Sequence, residues 1–254
     1  MKLIRQDNSS KWIKENIPQY AIRALITHLD SLEFTSEQLN KKWGRATTSE
    51  VIEEYYLKKL SHLFTLNESI KDKSVLEFGP GLGITSYLYL ILGAKSYCGI
   101  EVFGENVQSC RKLCRDLTNH EFIFDRVQDS LDDLLEKVKF DTLSLINVIE
   151  FFSVEYLDNL WKVAYDNFDY LILTARFPYF EESPSAPLLK TKVKNEYGRR
   201  SLSNDYKSLQ FGSIGNKEYY VGALENVGWK IKTMQYITDA HDFRDKKNAI
   251  ICTK

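Results

Sequence analysis

A hydrophobic run that ends in closely spaced glycines is the segment of this sequence best suited to bind a ligand. Residues 75–78 read Val-Leu-Glu-Phe, and a loop with three glycines follows: Gly79, Gly81 and Gly83. Glycines let the backbone turn tightly and approach a ligand closely, and the first N–H groups of a following helix have no partner inside it. Such N–H groups favour a polar or anionic ligand. Ile84 stands where the dinucleotide fingerprint GxGxxG requires its third glycine.

Two acidic residues follow later apolar runs. Glu101 lies 24 residues after Glu77, near the end of the run 96–102. A carboxylate at about that distance along the chain suits hydrogen bonds to two ribose hydroxyls. Asp129, with Ser130 beside it, follows the run 121–127. Asp129 is also a residue type that caps a following helix.

These segments together resemble a known family. Residues 77–83 resemble motif I of the class I S-adenosylmethionine-dependent methyltransferases, and residues 140–150, FDTLSLINVIE, resemble its motif IV. The resemblance covers 73–175 and extends to 229–253. The resemblance implies S-adenosyl-L-methionine as cofactor, with its methionine and ribose held by the glycine loop. It also implies that Glu101 binds the ribose hydroxyls, that Asp129 accepts from the adenine amino group, and that the next backbone N–H contacts the adenine ring. The implied cofactor-binding residues are Glu77, Gly79, Pro80, Gly81, Gly83, Glu101, Val102, Gln128, Asp129, Ser130 and Asn147.

Short apolar runs alternate with amphipathic stretches from residue 73 onward. The pattern predicts strands at 74–78, 96–102, 121–127, 141–148, 170–175, 229–237 and 249–253, and helices at 84–92, 106–117, 131–138, 154–167 and 217–226. Strand–helix alternation is typical of a parallel sheet with right-handed crossovers. We therefore expect an α/β fold: a Rossmann-like, seven-stranded, mostly parallel sheet that ends in an antiparallel C-terminal hairpin.

The rest of the chain divides around that sheet. Residues 1–72 read as a helical N-terminal extension, which we expect to cap the methyl acceptor. Residues 73–254 form the methyltransferase-like domain, interrupted at 177–216 by a polar, aromatic insertion with a basic cluster, residues 190–200. Loops and additions on a fixed scaffold carry most functional variation.

The reaction centre is predicted at the carboxyl ends of the strands, where such sheets bind ligands. Asn147 and Glu150 lie at the carboxyl end of the fourth strand, and the Pro-Pro-aromatic sequence of the family's N6-adenine and glutamine-modifying branches is absent there. His241, in the loop between the last two strands, is the first candidate for a general base beside Glu150, with Asp239 and Asp242 as rivals. An exposed loop histidine without a catalytic role is the alternative. Arg176, Tyr179 and Tyr55 are the candidate acceptor-binding residues.

Bulk properties narrow the choice of partner. The 254 residues carry a formal charge of −1, so no whole-molecule field attracts nucleic acid or a membrane surface. The chain has four cysteines without a CxxC pair, which argues against zinc and for buried thiols in a reducing compartment. An apolar leader and a membrane-length apolar run are both absent from the sequence, and we expect a cytoplasmic protein with no membrane partner.

The sequence thus predicts a methyltransferase that acts on a small molecule, most readily on oxygen, with a sugar or secondary metabolite as acceptor. Three alternatives stay open: an RNA or protein methyltransferase that uses the basic insertion, a non-catalytic S-adenosylmethionine-binding subunit, and a nicotinamide oxidoreductase. The near-neutral charge argues against nucleic acid. The oligomeric state is left open, with a homodimer as one option.

Overall fold

The fold was analysed on a computed structural model, which describes residues 15–31, 69–178, 188–189, 214–215, 217–237 and 245–254. The helices are α1 (Gln19–Asp30), α2 (Ile84–Ile91), α3 (Gly104–Cys114), α4 (Val127–Lys137), α5 (Val154–Asn167) and α6 (Lys217–Asn226), with one turn of 3₁₀ helix at Ile149–Phe151. The strands are β1 (Ser74–Phe78), β2 (Ser96–Glu101), β3 (His120–Phe124), β4 (Thr142–Leu145), β5 (Tyr170–Pro178), β6 (Leu188–Leu189), β7 (Ile214–Gly215), β8 (Lys230–Ile237) and β9 (Asp245–Thr253).

Seven of these strands form one sheet in the order β3-β2-β1-β4-β5-β9-β8. Strands β1 to β5 pair in parallel, whereas β9 runs antiparallel to both β5 and β8. The predicted Rossmann-like architecture with an antiparallel C-terminal hairpin is therefore confirmed. Because β1 lies between β2 and β4, the glycine loop after β1 is flanked by the ends of both neighbours.

Alternating side chains on the strands build two hydrophobic layers, one on each face of the sheet. On one face, Val75 and Ile172 pack with residues of α1, α2 and α3. On the other face, Leu76 and Leu173 pack with residues of α4, α5 and α6. Helix α1 belongs to the predicted N-terminal extension, yet its Ala21 and Leu25 are fully buried in the first layer.

Several predicted boundaries were wrong. Strand β3 ends at Phe124 and α4 begins at Val127, so residues 127–130 form a helical turn instead of a strand end and a loop. Strand β5 continues to Pro178 because β9, which starts at Asp245, pairs with it along its whole length. Within the predicted insertion, β6 and β7 form a two-stranded antiparallel sheet that the sequence pattern did not indicate.

Two further expectations concern cysteines and membranes. All four cysteines are buried free thiols, as predicted. In the described ranges, no three His, Cys, Asp or Glu residues group so as to hold a metal ion. None of the helices in those ranges has both the length and the apolar character of a bilayer-spanning segment.

Candidate functional site

The glycine loop leaves β1 and enters α2 through three left-handed backbone positions. Gly79, Gly81 and Gly83 have φ of 64°, 61° and 88°. Residues with a side chain seldom adopt these angles, so the tight turn requires glycine. The Gly79 N–H donates to the Ile100 carbonyl at 2.9 Å and the Gly83 N–H to the Pro80 carbonyl at 3.1 Å. Within the part of the chain that the structure describes, no side chain caps the start of α2, which leaves its first-turn N–H groups to another acceptor.

The three glycines differ in the space around them. A Cβ at Gly83 would lie 2.9 Å from the Cys110 Cα, and one at Gly79 would lie 3.1 Å from the Val148 Cγ2. At Gly81, by contrast, no atom of the described residues lies within 4 Å of that position. Gly79 and Gly83 are thus crowded by the protein itself, whereas Gly81 borders open space into which a ligand can extend.

Glu101 closes the adjacent strand β2 and is buried against the loop. Its Oε2 accepts the Gly81 N–H at 2.9 Å, and its Oε1 accepts the Phe103 N–H at 3.0 Å. Burial raises the pKa of this carboxyl, while hydrogen bonds from the Asn106 side chain and nearby backbone N–H groups act against that rise. The predicted ribose-binding acid therefore lies directly beside the glycine loop.

Glu77 is the second buried carboxyl of the site, at the end of β1. Its Oε2 accepts the Tyr97 hydroxyl at 2.6 Å, and the Ser86 hydroxyl donates to the Tyr97 oxygen at 2.7 Å. Burial raises the pKa of Glu77 to about 8, although the hydrogen bonds from Tyr97 and Ser86 oppose that rise. Gly99 makes room for this network, because a Cβ there would lie 2.9 Å from the Tyr97 hydroxyl.

Helices α1 and α3 hold the carbonyl groups of the loop. The Ser109 hydroxyl donates to the Leu82 carbonyl at 3.2 Å, and the Cys110 thiol to the Gly81 carbonyl at 3.3 Å. His28 of α1 is buried, and its Nε2 lies 2.9 Å from the Ser109 Oγ. Burial and the charge of Lys112 lower the pKa of His28, against a raising effect of the Leu82 carbonyl.

The predicted adenine-binding residues lie in the first turn of α4. Gln128 and Asp129 are exposed, and the Ser130 N–H donates to the Arg126 carbonyl at 3.2 Å within the helix. Asp125, which precedes the helix, donates its N–H to the Glu101 carbonyl at 3.1 Å. Of the two aspartates, Asp125 and Asp129, it is therefore Asp125 that contacts the end of β2. The adenine-binding roles stay predictions.

Asn147 follows β4 at the same edge of the sheet. It is exposed and has a φ of 56°, which is uncommon for a residue with a side chain. Val148, the next residue, packs beside Gly79 of the glycine loop. The structure thus places Asn147 near the glycine loop, where the sequence predicted it.

The remaining predicted site residues are described in part or not at all. Tyr55, Tyr179 and His241 lie outside the described residues, as do Asp239 and Asp242. Arg176 was expected to close β5 but lies inside it, paired in register with Lys247. Glu150 lies in the 3₁₀ turn after β4.

Four residues of the site carried no sequence signal that identified them. Tyr97 sits in an apolar strand run, Thr174 in another, Asn106 in a helix, and Asp125 inside what read as a continuous strand. Two weak clues were present in the sequence: the hydroxyl of Tyr97 in an apolar run, and the interruption of another apolar run by Asp125. Their roles follow from the neighbours that the fold gives them.

Comparison with known proteins agrees with this geometry. No protein-family model matches the chain, and no curated protein matches it by sequence. Among solved structures, magnesium protoporphyrin IX methyltransferase (ChlM) from Synechocystis PCC 6803 with bound S-adenosylhomocysteine superposes with a TM-score of 0.56 at 12% identity, over 97% of this chain and 99% of that one. The N-terminal domain of EvdMO1, crystallised in the presence of S-adenosylhomocysteine and D-fucose, gives 0.54 at 16% identity, over 77% and 82%.

A third structure, TehB from Haemophilus influenzae, gives a TM-score of 0.54 at 12% identity, over 86% of this chain and 66% of that one. These likenesses, together with the strand order and the glycine loop, define the class of structure. The chain has the fold of the class I S-adenosylmethionine-dependent methyltransferases.

Proposed function

We propose that this protein is an S-adenosylmethionine-dependent methyltransferase that acts on a hydroxyl group of a small molecule, such as a sugar or a secondary metabolite. One observation carries the proposal: the Glu101 carboxylate accepts the Gly81 N–H at 2.9 Å, beside the one loop glycine of the three that borders open space. A buried acceptor for hydroxyl groups and a turn without side chains suit a nucleoside.

The described residues fit the cofactor. Glu101 would hold the ribose hydroxyls, and the glycine loop and the uncapped start of α2 would face the methionine part. Bound there, S-adenosylmethionine supplies a methyl group that is already activated for displacement. The task of the chain is then to hold and orient two ligands, which accounts for much of the rate in such reactions.

Support for a sugar-like hydroxyl acceptor comes from the edge at which β8 ends and β9 begins and from one solved structure of the same fold. A hydroxyl loses a proton during methyl transfer, so a base is needed, and His241 and Glu150 remain the candidates. The segment that contains His241 is flanked by Ile237, which ends β8, and by Asp245, which begins β9. Both residues lie on the side of the sheet where β1, β2 and β4 end. The presence of D-fucose with the EvdMO1 domain supports a sugar-like acceptor for a chain of this fold.

Calorimetric titration with S-adenosylhomocysteine tests the cofactor site. The wild-type protein should bind it, Glu101→Ala should abolish most of the binding, and Glu136→Ala, a change at an exposed glutamate of α4, should leave it unchanged. Equal binding by Glu101→Ala would remove Glu101 from the ribose role, and no binding by the folded wild type would refute the proposed function.

The acceptor is tested with S-adenosylmethionine and a panel of hydroxylated small molecules, including monosaccharides. Mass spectrometry detects the added methyl group, and carbon–proton correlation spectra assign it to oxygen, nitrogen or carbon. Methylation at nitrogen or carbon would contradict the proposed class of acceptor. Binding of the cofactor with no transfer to any acceptor is the result expected of a non-catalytic subunit.

A further inference from the structure

A relay of hydrogen bonds connects the N-terminal helix α1 to the glycine loop. His28 Nε2 lies 2.9 Å from the Ser109 Oγ, and the Ser109 hydroxyl donates to the Leu82 carbonyl at 3.2 Å. Because the single hydroxyl hydrogen of Ser109 is directed at Leu82, the Ser109 oxygen accepts from His28. His28 is therefore protonated on Nε2 and acts as the donor at the start of the relay.

The position of His28 on α1 is unusual for a polar residue. It is 6% exposed and lies on the same face as Ala21 and Leu25, which are fully buried against the first hydrophobic layer. A buried imidazole without hydrogen bonds would be costly, and this one meets its partner only when α1 is docked on α3. Docking of α1 and formation of the relay are thus the same event.

The relay ends on the peptide unit that leads into α2. The carbonyl of this unit, at Leu82, accepts from Ser109, and its N–H, at Gly83, donates to the Pro80 carbonyl at 3.1 Å. Both polar groups of the unit are therefore fixed. The orientation of this unit sets the direction in which the following N–H groups, at the uncapped start of α2, are presented.

We propose that His28 is a positioning residue of the cofactor site, through which docking of α1 orders the glycine loop and couples the N-terminal segment to cofactor binding. The proposal rests on the proposed function. The coupling is reciprocal: a docked α1 raises the affinity for the nucleoside, and the bound nucleoside holds α1 in place. A helix outside the glycine loop thereby becomes part of the binding site without touching the ligand.

Calorimetry with S-adenosylhomocysteine on the full chain tests this coupling. His28→Ala and Ser109→Ala should each weaken binding by about five-fold or more, the lower end of typical coupling between sites. The double variant should bind no more weakly than either single variant, because both changes break one relay. His28→Gln, which keeps an N–H donor at a similar reach, should restore most of the affinity.

Ile22→Val is the matched control, since Ile22 is buried on the same helix but takes no part in the relay. It should lower the melting temperature and leave the affinity within about two-fold of the wild type, because the change removes only one buried methyl group. The proposal is overturned if Ile22→Val and His28→Ala lose affinity in the same proportion to the stability that each loses. His28 would then only stabilise α1.

Hydrogen exchange gives a second readout that needs no ligand. In the free protein, the Gly83 and Tyr87 amides, which donate to the Pro80 and Gly83 carbonyls, should exchange faster in His28→Ala than in the wild type and in Ile22→Val. With S-adenosylhomocysteine bound, the α1 amides should become more protected in the wild type. Equal exchange at Gly83 and Tyr87 in all three proteins would overturn the positioning role. If the wild type binds no nucleoside, the proposed function fails, and the exchange of the free loop alone decides whether His28 orders it.

Discussion

The hydroxyl of Thr174 holds Asn147 at two points. It accepts the Asn147 N–H at 2.8 Å and donates to the Asn147 Oδ1 at 3.2 Å. Thr174 is 2% exposed within β5, whereas Asn147 is exposed after β4 with its φ at 56°. A single buried hydroxyl thus fixes an uncommon backbone conformation at the ligand-binding edge of the sheet, and it turns the Asn147 NH₂ group away from β5.

Thr174→Val should destabilise the protein by about 0.5–1.5 kcal/mol, the usual net contribution of a hydrogen bond, because the exposed Asn147 can turn its polar groups to water. Valine keeps the shape of threonine but cannot accept the Asn147 N–H. Urea denaturation measures the loss. Thr174→Ser retains the hydroxyl and should cost less, and equal stability of the valine variant and the wild type would show that the hydroxyl does not fix Asn147.

Gly81→Ala and Gly83→Ala should separate binding from stability. The backbone is left-handed at both positions, which costs a residue with a side chain about 1–2 kcal/mol. Alanine at Gly83 also meets the Cys110 backbone and should destabilise the fold further, whereas alanine at Gly81 meets only open space. Gly81→Ala should therefore bind S-adenosylhomocysteine far more weakly than its modest loss in melting temperature suggests. Unchanged binding by Gly81→Ala would mean that the open space is not the ligand site.

Glu77→Gln should remove the loss of stability that Glu77 causes as the pH rises. The folded state raises the pKa of Glu77 from 4.5 to about 8, so its proton is held more tightly than in the unfolded chain. The contribution to stability is complete below 4.5 and is lost as the pH rises to about 8. Glutamine does not titrate, so the free energy of unfolding of the variant should gain on that of the wild type across this window.

Chemical denaturation at a series of pH values from 5 to 9 measures this difference between the variant and the wild type. Glu136→Gln, at an exposed position of α4, serves as the control and should show no such trend. A difference between Glu77→Gln and the wild type that does not vary with pH would contradict the raised pKa.

His28 should make the protein sensitive to mild acid. Burial, and then the charge of Lys112, lower its pKa below 6.5, so the unfolded chain takes up the proton first as the pH falls. The stability that the neutral imidazole provides is present above 6.5 and is lost as the pH falls through the lowered pKa. His28→Gln should lose less stability than the wild type below 6.5, and Lys112→Met should show a smaller loss as well. Thermal unfolding at a series of pH values below 6.5 measures these losses. Identical losses in all three proteins would refute this role of His28.

The regular part of the fold was predictable because each element carries its own local pattern. The apolar runs at 74–78 and 170–175 and the amphipathic stretch at 154–167 could be placed from residue spacing alone. The glycine loop and Glu101 were also predictable, since a tight turn and a carboxylate at a strand end leave marks within a few residues. These features depend on neighbours in sequence or on one simple rule of sheet topology.

The relationships that complete the site depend on packing between distant segments. His28 and Ser109 lie 81 positions apart, and Asn147 and Thr174 lie 27 apart. Tyr97 reads as an ordinary strand residue, and only the absence of a side chain at Gly99 lets its hydroxyl reach Glu77. The end of β3 was misplaced because Val127, two residues after Asp125, continues an apolar pattern although it begins a helix.

Strand β9 lies between β5 and β8, so β8 joins the sheet only through it. During synthesis on the ribosome, β5 and β8 are both made before their common partner. Until residues 245–253 emerge, one edge of β5 and the whole of β8 expose unpaired backbone groups, which are templates for pairing with another nascent chain. The sheet thus closes only once β9 is available, and a chaperone that covers these edges would have its greatest effect before residues 245–253 emerge.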